Sequence, residues 1–308
     1  MVETINLTKR YGKLVALNNL RLKIEEGECF GYIGPNGAGK TTTIKILSTL
    51  LQPTWGEARV CGYVVGYESP KIRPLIGYVP DFFGAYEDLV VQEYLEFFAS
   101  AYGITGQQRT RVVGDVLELT DLVYKRDTLV DALSRGMKQR LSIARVLLHD
   151  PKVLFLDEPA SGLDPRARIE IRELLKELHR MGKTILISSH ILHELAELCT
   201  TVGILEKGEL LLHTTIEDIL RRARTGTKVH IRVAEKQDLA ALLLQRTKGI
   251  KQVESRNGVL VVELARQTND FSTLARLLLD KGFKLQEIKE EEVNLETAFM
   301  RLTKGLVQ

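Results

Sequence analysis

Eight consecutive residues, Gly34-Pro35-Asn36-Gly37-Ala38-Gly39-Lys40-Thr41, constrain this chain more than any other feature, because they lie between an apolar run at 29–33 and a helical pattern that begins near Lys40. Glycines at this spacing let backbone N–H groups turn inward around phosphate oxygens. A helix starting at the end of the loop aims the positive end of its dipole at the same anion. The pattern therefore asks for strand, tight turn and helix in that order. Lys40 would reach the outer phosphates, and the Thr41 hydroxyl, with Thr42 next along the loop, would face a divalent cation.

Strand and helix signals alternate on both sides of this loop. Leu20, Leu22 and Ile24 alternate, the chain turns at Glu26 and Gly27, and the run 29–33 reads as a buried strand. Helical spacing covers 40–51, 91–102 and 108–122. Ser134 is a natural N-cap for a helix running to about residue 149, where Asp150-Pro151 stops it. "KVLFLDEP" and "KTILISSH" are short apolar strands flanking a helix over 165–181 that Gly182 closes. The expected fold class is α/β with a largely parallel sheet, and the helical stretch at about 90–150 forms a separate lobe. After "RTGT" the pattern becomes β-α-β-β-α-β, with an Asn257-Gly258 hairpin turn and a last helix from Asn294, which suggests a small α+β, ferredoxin-like module. A length of 308 residues fits one large and one small domain, placed at 1–224 and 225–308.

Composition excludes several function classes. No run approaches the roughly 20 apolar residues that cross a bilayer, so a role in a membrane process would need a partner. The 43 basic and 40 acidic residues are interspersed, and no nucleic-acid partner is expected. Cys29, Cys61 and Cys199 lack metal-ligand spacing, and the start carries no signal-peptide run, so a reducing cytoplasm with buried structural thiols is expected.

Two further motifs complete a chemical site. In "VLFLDEP", Asp157 at the end of a buried parallel strand can face the phosphate loop and hold a metal, and Glu158 is placed to polarise a water for in-line attack as general base. In "SSH", His190 falls at the same carboxyl edge, where ligands of open α/β sheets collect.

The ordered series Tyr11, "GPNGAGKTT", "YVPD", "LSRGM", "LDEP", "SGLDP" and "SSH" resembles the nucleotide-binding subunit of ABC transporters over roughly the first 220 residues. The resemblance implies a P-loop NTPase core of ABC type with a helical lobe, binding ATP with Mg²⁺ and hydrolysing it. It implies that Tyr11 stacks on adenine, that His190 contacts the γ-phosphate beside Lys40 and Glu158, and that "SGLDP" with Asp164 crosses to a second protomer. Each ATP would lie between one chain's phosphate loop and Ser134 and Gly136 of the other chain's "LSRGM", in a head-to-tail homodimer or close heterodimer. The implied setting is cytoplasmic, on the inner face of the membrane, docked to a separate integral membrane permease.

Two departures from the family pattern stand out. Arg135 and Met137 replace the usual glycine and glutamine of the clamp, while Ser134 and Gly136 keep the hydroxyl, the backbone N–H groups and the helix N-terminus that face a γ-phosphate. Asp81 stands where the family usually has a metal-touching glutamine, and it keeps an oxygen ligand. Subunits resembling this one in both respects serve exporters with a separate permease, which favours export. Phe82, Phe83 and Tyr86, beside Asp81, are expected to form a groove for a permease helix, whereas Tyr94, Phe97 and Phe98 are expected to pack the lobe and Leu295, Phe299 and Leu302 the C-terminal core. The rival functions are an ABC-type ATPase acting on nucleic acid, which would need two fused cores or a long coiled coil, and a non-hydrolysing ATP-gated scaffold.

Overall fold

A computed structural model describes the chain except residues 83, 85–87, 224–227, 257, 266–270 and 291–308, and for residues 192, 193 and 220–223 it describes the backbone alone. Phe83, Tyr86, Asn257, Leu295, Phe299, Leu302 and the helix expected from Asn294 lie outside the described residues. The chain's contacts divide it into two units, Met1–Ile216 and Glu217–Gln308.

The first unit opens with two long antiparallel strands, β1 (Val2–Tyr11) and β2 (Leu14–Ile24), on which Leu20, Leu22 and Ile24 all turn inward. After β3 (Cys29–Ile33) comes α1 (Lys40–Leu47), and then β4 (Trp55–Val60) and β5 (Tyr63–Val64) complete a four-stranded antiparallel sheet in the order β2-β1-β4-β5. A short α2 (Ser69–Ile72) leads to β6 (Ile76–Val79) and to the helical lobe of α3 (Val91–Ala101), α4 (Gly106–Leu119) and α5 (Arg135–Leu147). The chain returns through β7 (Val153–Asp157), α6 (Pro165–Arg180), β8 (Thr184–Ser189), α7 (Leu192–Ala196), β9 (Thr201–Glu206) and β10 (Glu209–Thr215).

The second sheet runs β10-β9-β3-β8-β7-β6, and every pairing from β9 to β6 is parallel. Strands β3, β7 and β8 are buried along their whole lengths, which is why they read as continuous apolar runs. Register then fixes the site: Ile33 lies beside Ser189, and Ser188 beside Asp157, so three chemistry-bearing segments leave the sheet at one edge. Phe30, Tyr32, Ile44, Leu47, Phe155 and Leu186 belong to the core of this unit, each such side chain contributing about 1.5–3 kcal/mol by its burial.

Two helices end earlier than their apolar spacing suggests. α1 stops at Leu47 because Thr49 adopts φ +62° and the N–H groups of Leu50 and Leu51 both fold back to the Lys45 carbonyl. α4 stops at Leu119, before Asp121 at φ +51°. In the lobe Tyr94 is fully buried as expected, but Phe97 is 50% exposed. Cys29 and Cys199 are buried with sulfurs 3.6 Å apart, whereas Cys61 is only half-buried, a correction to the expectation for that thiol.

In the second unit α8 (Ile216–Ala223), which starts at the boundary, is followed by β11 (Lys228–Val233), α9 (Gln237–Gln245), β12 (Ile250–Arg256), β13 (Val259–Leu264), α10 (Ser272–Asp280) and β14 (Leu285–Glu290). The sheet is antiparallel, in the order β12-β13-β11-β14, and matches the β-α-β-β-α-β pattern. Val229, Ile231 and Val233 alternate into a core that also holds Leu260, Val262 and Leu278. Among the described residues no helix is long and apolar enough to cross a membrane.

Candidate active site

The phosphate loop follows β3 directly and passes under β9. A β-carbon on Gly34 would come within 2.3 Å of the Leu205 carbonyl oxygen, so only glycine allows the crossing. Gly39 caps α1 at φ +110°, and the first turn of that helix carries no acidic residue, which leaves its N–H groups and dipole to an anion. Lys40 is buried at 6% exposure and its Nζ donates to the Gly34 and Pro35 carbonyls at 2.6 and 3.3 Å. A cleft of about 310 Å³ is lined by Tyr11, Leu14, Ala16, Pro35, Asn36, Gly37, Ala38, Gly39, Lys40, Thr41, Thr42, Asp81 and Glu158. Tyr11, at the end of β1, is 45% exposed there, with Lys9 Nζ over its ring at 5.4 Å from the centroid.

The carboxylates meet the loop at the end of β7. Asp157 is 2% exposed and accepts a 2.8 Å hydrogen bond from the Ser188 hydroxyl. Burial pushes its carboxyl above the usual range, hydrogen bonds from Ser188 and Thr41 pull it back, and the charges of Glu158 and Asp81 add to the rise. The neighbouring Tyr78 phenol is pushed up to about 12, chiefly by burial and then by the charges of Asp157 and Asp81. Glu158 sits at φ +50°, and its N–H donates to Ser188 Oγ at 3.0 Å. One of its carboxylate oxygens lies 3.2 Å from Lys40 Nζ, and the other accepts from His190 Nδ1–H at 2.8 Å. Thr41, Asp157 and Asp81 offer only hard oxygen donors, which fits Mg²⁺. Among the described residues no three His, Cys, Asp or Glu gather into a metal cluster, so an ion here would share its coordination with phosphate oxygens and water.

The remaining predicted residues lie elsewhere. Ser134 is the N-cap of α5 and accepts the Met137 N–H at 3.3 Å, while Asp164 caps α6 by accepting the Ala167 N–H at 3.0 Å. The two helix starts are in contact, since a β-carbon on Gly136 would come within 2.7 Å of the Ala167 Cβ. Ser134, Gly136 and Asp164 do not line the cleft. Sequence reasoning missed Ser188, Leu14 and Ala16. For Ser188 the signal was the hydroxyl pair before His190 at the carboxyl end of an apolar strand.

A glycine loop around a buried lysine, with two acids arriving from the end of β7, one strand beyond β8, defines a phosphate-loop nucleotide hydrolase. The family model described as ABC transporter matches residues 17–161. The linearmycin resistance ATP-binding protein LnrL of Bacillus subtilis (strain 168) is 31% identical over 306 residues, covering 98% of each chain. The Nod factor export ATP-binding protein I of Burkholderia orbicola (strain AU 1054) is 43% identical over 203 residues, covering 66% of this chain and 67% of its own length. A solved dimeric ATP-binding cassette in a post-hydrolysis state with ADP and Pi superimposes with a TM-score of 0.64 at 30% identity, covering 70% of this chain and 98% of that one. The chain belongs to the ABC transporter family. It is an ATP-binding subunit that hydrolyses ATP to drive a transporter.

Proposed function

We propose that this chain powers export, acting through a separate integral membrane permease and closing head to tail on a second copy or a close relative around two ATP molecules. The names of the similar proteins, one for drug resistance and one for export, support the direction. The solved dimeric cassette supports the mode of closure. Residues 1–224 act as the ATPase domain and 225–308 as an accessory domain. The subunit works in the cytoplasm, held to the inner face of the membrane by the permease, and has no nucleic-acid partner.

In this reading Tyr11 stacks on the adenine, while Gly34, Pro35, Asn36, Gly37, Ala38, Gly39, Lys40, Thr41 and Thr42 wrap the phosphates. Thr41, Asp157 and Asp81 hold Mg²⁺, which would neutralise phosphate charge when bound. Glu158 orients and deprotonates the attacking water, and His190 positions Glu158 and meets the γ-phosphate. Ser134, Gly136 and Asp164 serve the ATP held by the opposite protomer. The observation that carries the proposal is the Glu158 carboxylate, held between Lys40 at 3.2 Å and His190 at 2.8 Å beside the phosphate loop. Glu158→Gln keeps the shape and removes the base, so kcat should fall by about 10²- to 10⁴-fold while ATP binding persists. With Mg-ATP that variant should also change from monomer to dimer by solution mass. Turnover close to that of the parent chain would overturn the assignment of Glu158.

A further inference from the structure

We infer that Ser188 is a positioning residue for ATP hydrolysis, a single hydroxyl that sets Asp157 and Glu158 together. The inference rests on the roles proposed above for those two acids. Ser188 is fully buried and stands beside Asp157 in the parallel β7–β8 pairing, so its side chain meets the end of β7 where the strand gives way to the turn. Its Oγ donates to Asp157 Oδ1 at 2.8 Å and accepts the Glu158 N–H at 3.0 Å. One hydroxyl thereby uses its single proton on one acid and a lone pair on the backbone of the next.

Both bonds bear on geometry that the chemistry needs. Glu158 occupies left-handed backbone space at φ +50°, an unfavourable region for a side chain of this kind. Accepting its N–H helps hold that turn, and the turn directs the carboxylate toward Lys40 and His190. The same hydroxyl fixes the carboxyl of Asp157, which also bonds Thr41. Position along the strand adds to this: after Thr184 at its start come the apolar Ile185, Leu186 and Ile187, and the next two hydroxyls, Ser188 and Ser189, stand at the carboxyl edge. The second of them, Ser189, has a different task, since its Oγ accepts the Ile191 N–H at 3.0 Å and shapes the turn that carries His190. Both hydrogen bonds of the Ser188 hydroxyl go to the two acids, and it acts through them.

The test uses the full-length chain with Ser188→Ala, Ser188→Thr and Ser188→Cys, measuring Mg-ATP turnover, ATP affinity with a fluorescent ATP analogue, and melting temperature. Ser188→Ala should lower kcat by about 10- to 100-fold, the usual effect of removing a hydrogen-bond partner behind a metal-facing ligand, with ATP affinity and melting temperature close to the parent values. Threonine keeps the hydroxyl and should restore most of the turnover. Cysteine is a weak donor and should stay near alanine. Parent-like turnover in Ser188→Ala overturns the inference, as does a threonine variant as slow as alanine or a loss of turnover matched by losses in affinity and melting temperature. Glu158→Gln, assayed in parallel, separates the two levels. If it abolishes turnover and Ser188→Ala does not, only the role of Ser188 falls; if it stays active, the site assignment falls and the role of Ser188 with it.

Discussion

Arg135 and Met137 depart from the usual clamp, and the departure at Met137 leaves the cap of α5 intact. The cap on α5 joins Ser134 Oγ to the N–H of residue 137, so the side chain at 137 is not part of it. Arg135 has a neighbour of its own: its guanidinium fills the space beside Gly162 of "SGLDP", with three of its atoms 2.4–2.7 Å from where a β-carbon on that glycine would sit. Gly162 also has φ +66°. Gly162→Ala is therefore opposed twice, by about 1–2 kcal/mol of left-handed strain and by overlap with Arg135. In an Arg135→Ala background the second opposition disappears, and a double-mutant cycle in urea should show coupling of about 0.5–1 kcal/mol. Equal costs in both backgrounds would mean that the guanidinium does not rest on this loop.

At the scale of elements, α7 is the piece that cannot stand alone. Five residues are too few to sustain a helix in water. It is tied to α6 by Arg168–Glu194 at 3.1 Å and by Arg172–Glu197, and the Nε of Arg168 also donates to the Leu163 carbonyl at 3.0 Å. α6 thus joins the "SGLDP" segment before it to the segment just after His190. Partly exposed ion pairs of this kind contribute up to about 1 kcal/mol each, so replacing Arg168 and Arg172 by Met should raise amide exchange in residues 192–196 about 5- to 30-fold while β8 stays protected. Unchanged exchange in α7 would assign its order to apolar packing.

Legibility in the sequence follows the same division of scale. The phosphate loop was readable because its chemistry needs contiguous residues, and β3, β7 and β8 because burial on both faces forces apolar runs. The Asp157–Ser188 bond was not, since it joins residues 31 apart through a strand register that no local pattern encodes. β1 and β4 escaped notice because their outward faces carry Glu3, Lys9, Arg10 and Glu57. α1 looked too long because "STLL" holds no breaker and the turn comes from an uncommon left-handed Thr49.

At the scale of the whole molecule, the described buried cores of the two units share no residue: one is built around Phe30, Tyr32 and Phe155, the other around Val229, Ile231 and Val262. Separate cores are the condition for separate unfolding, and the residues that line the ATP cleft all come from the first unit. Nucleotide that binds only the folded form stabilises by mass action, about 2.7 kcal/mol at 100 times its Kd. In a unit of roughly this size, 1 kcal/mol moves the midpoint by about 2–4 °C. Calorimetry of Glu158→Gln, chosen so that nucleotide survives the scan, should show two transitions, and saturating Mg-ATP should raise one by about 5–10 °C and leave the other in place. Movement of both by the same amount would mean that the units unfold together, and that the accessory domain shares in the energetics of ATP binding.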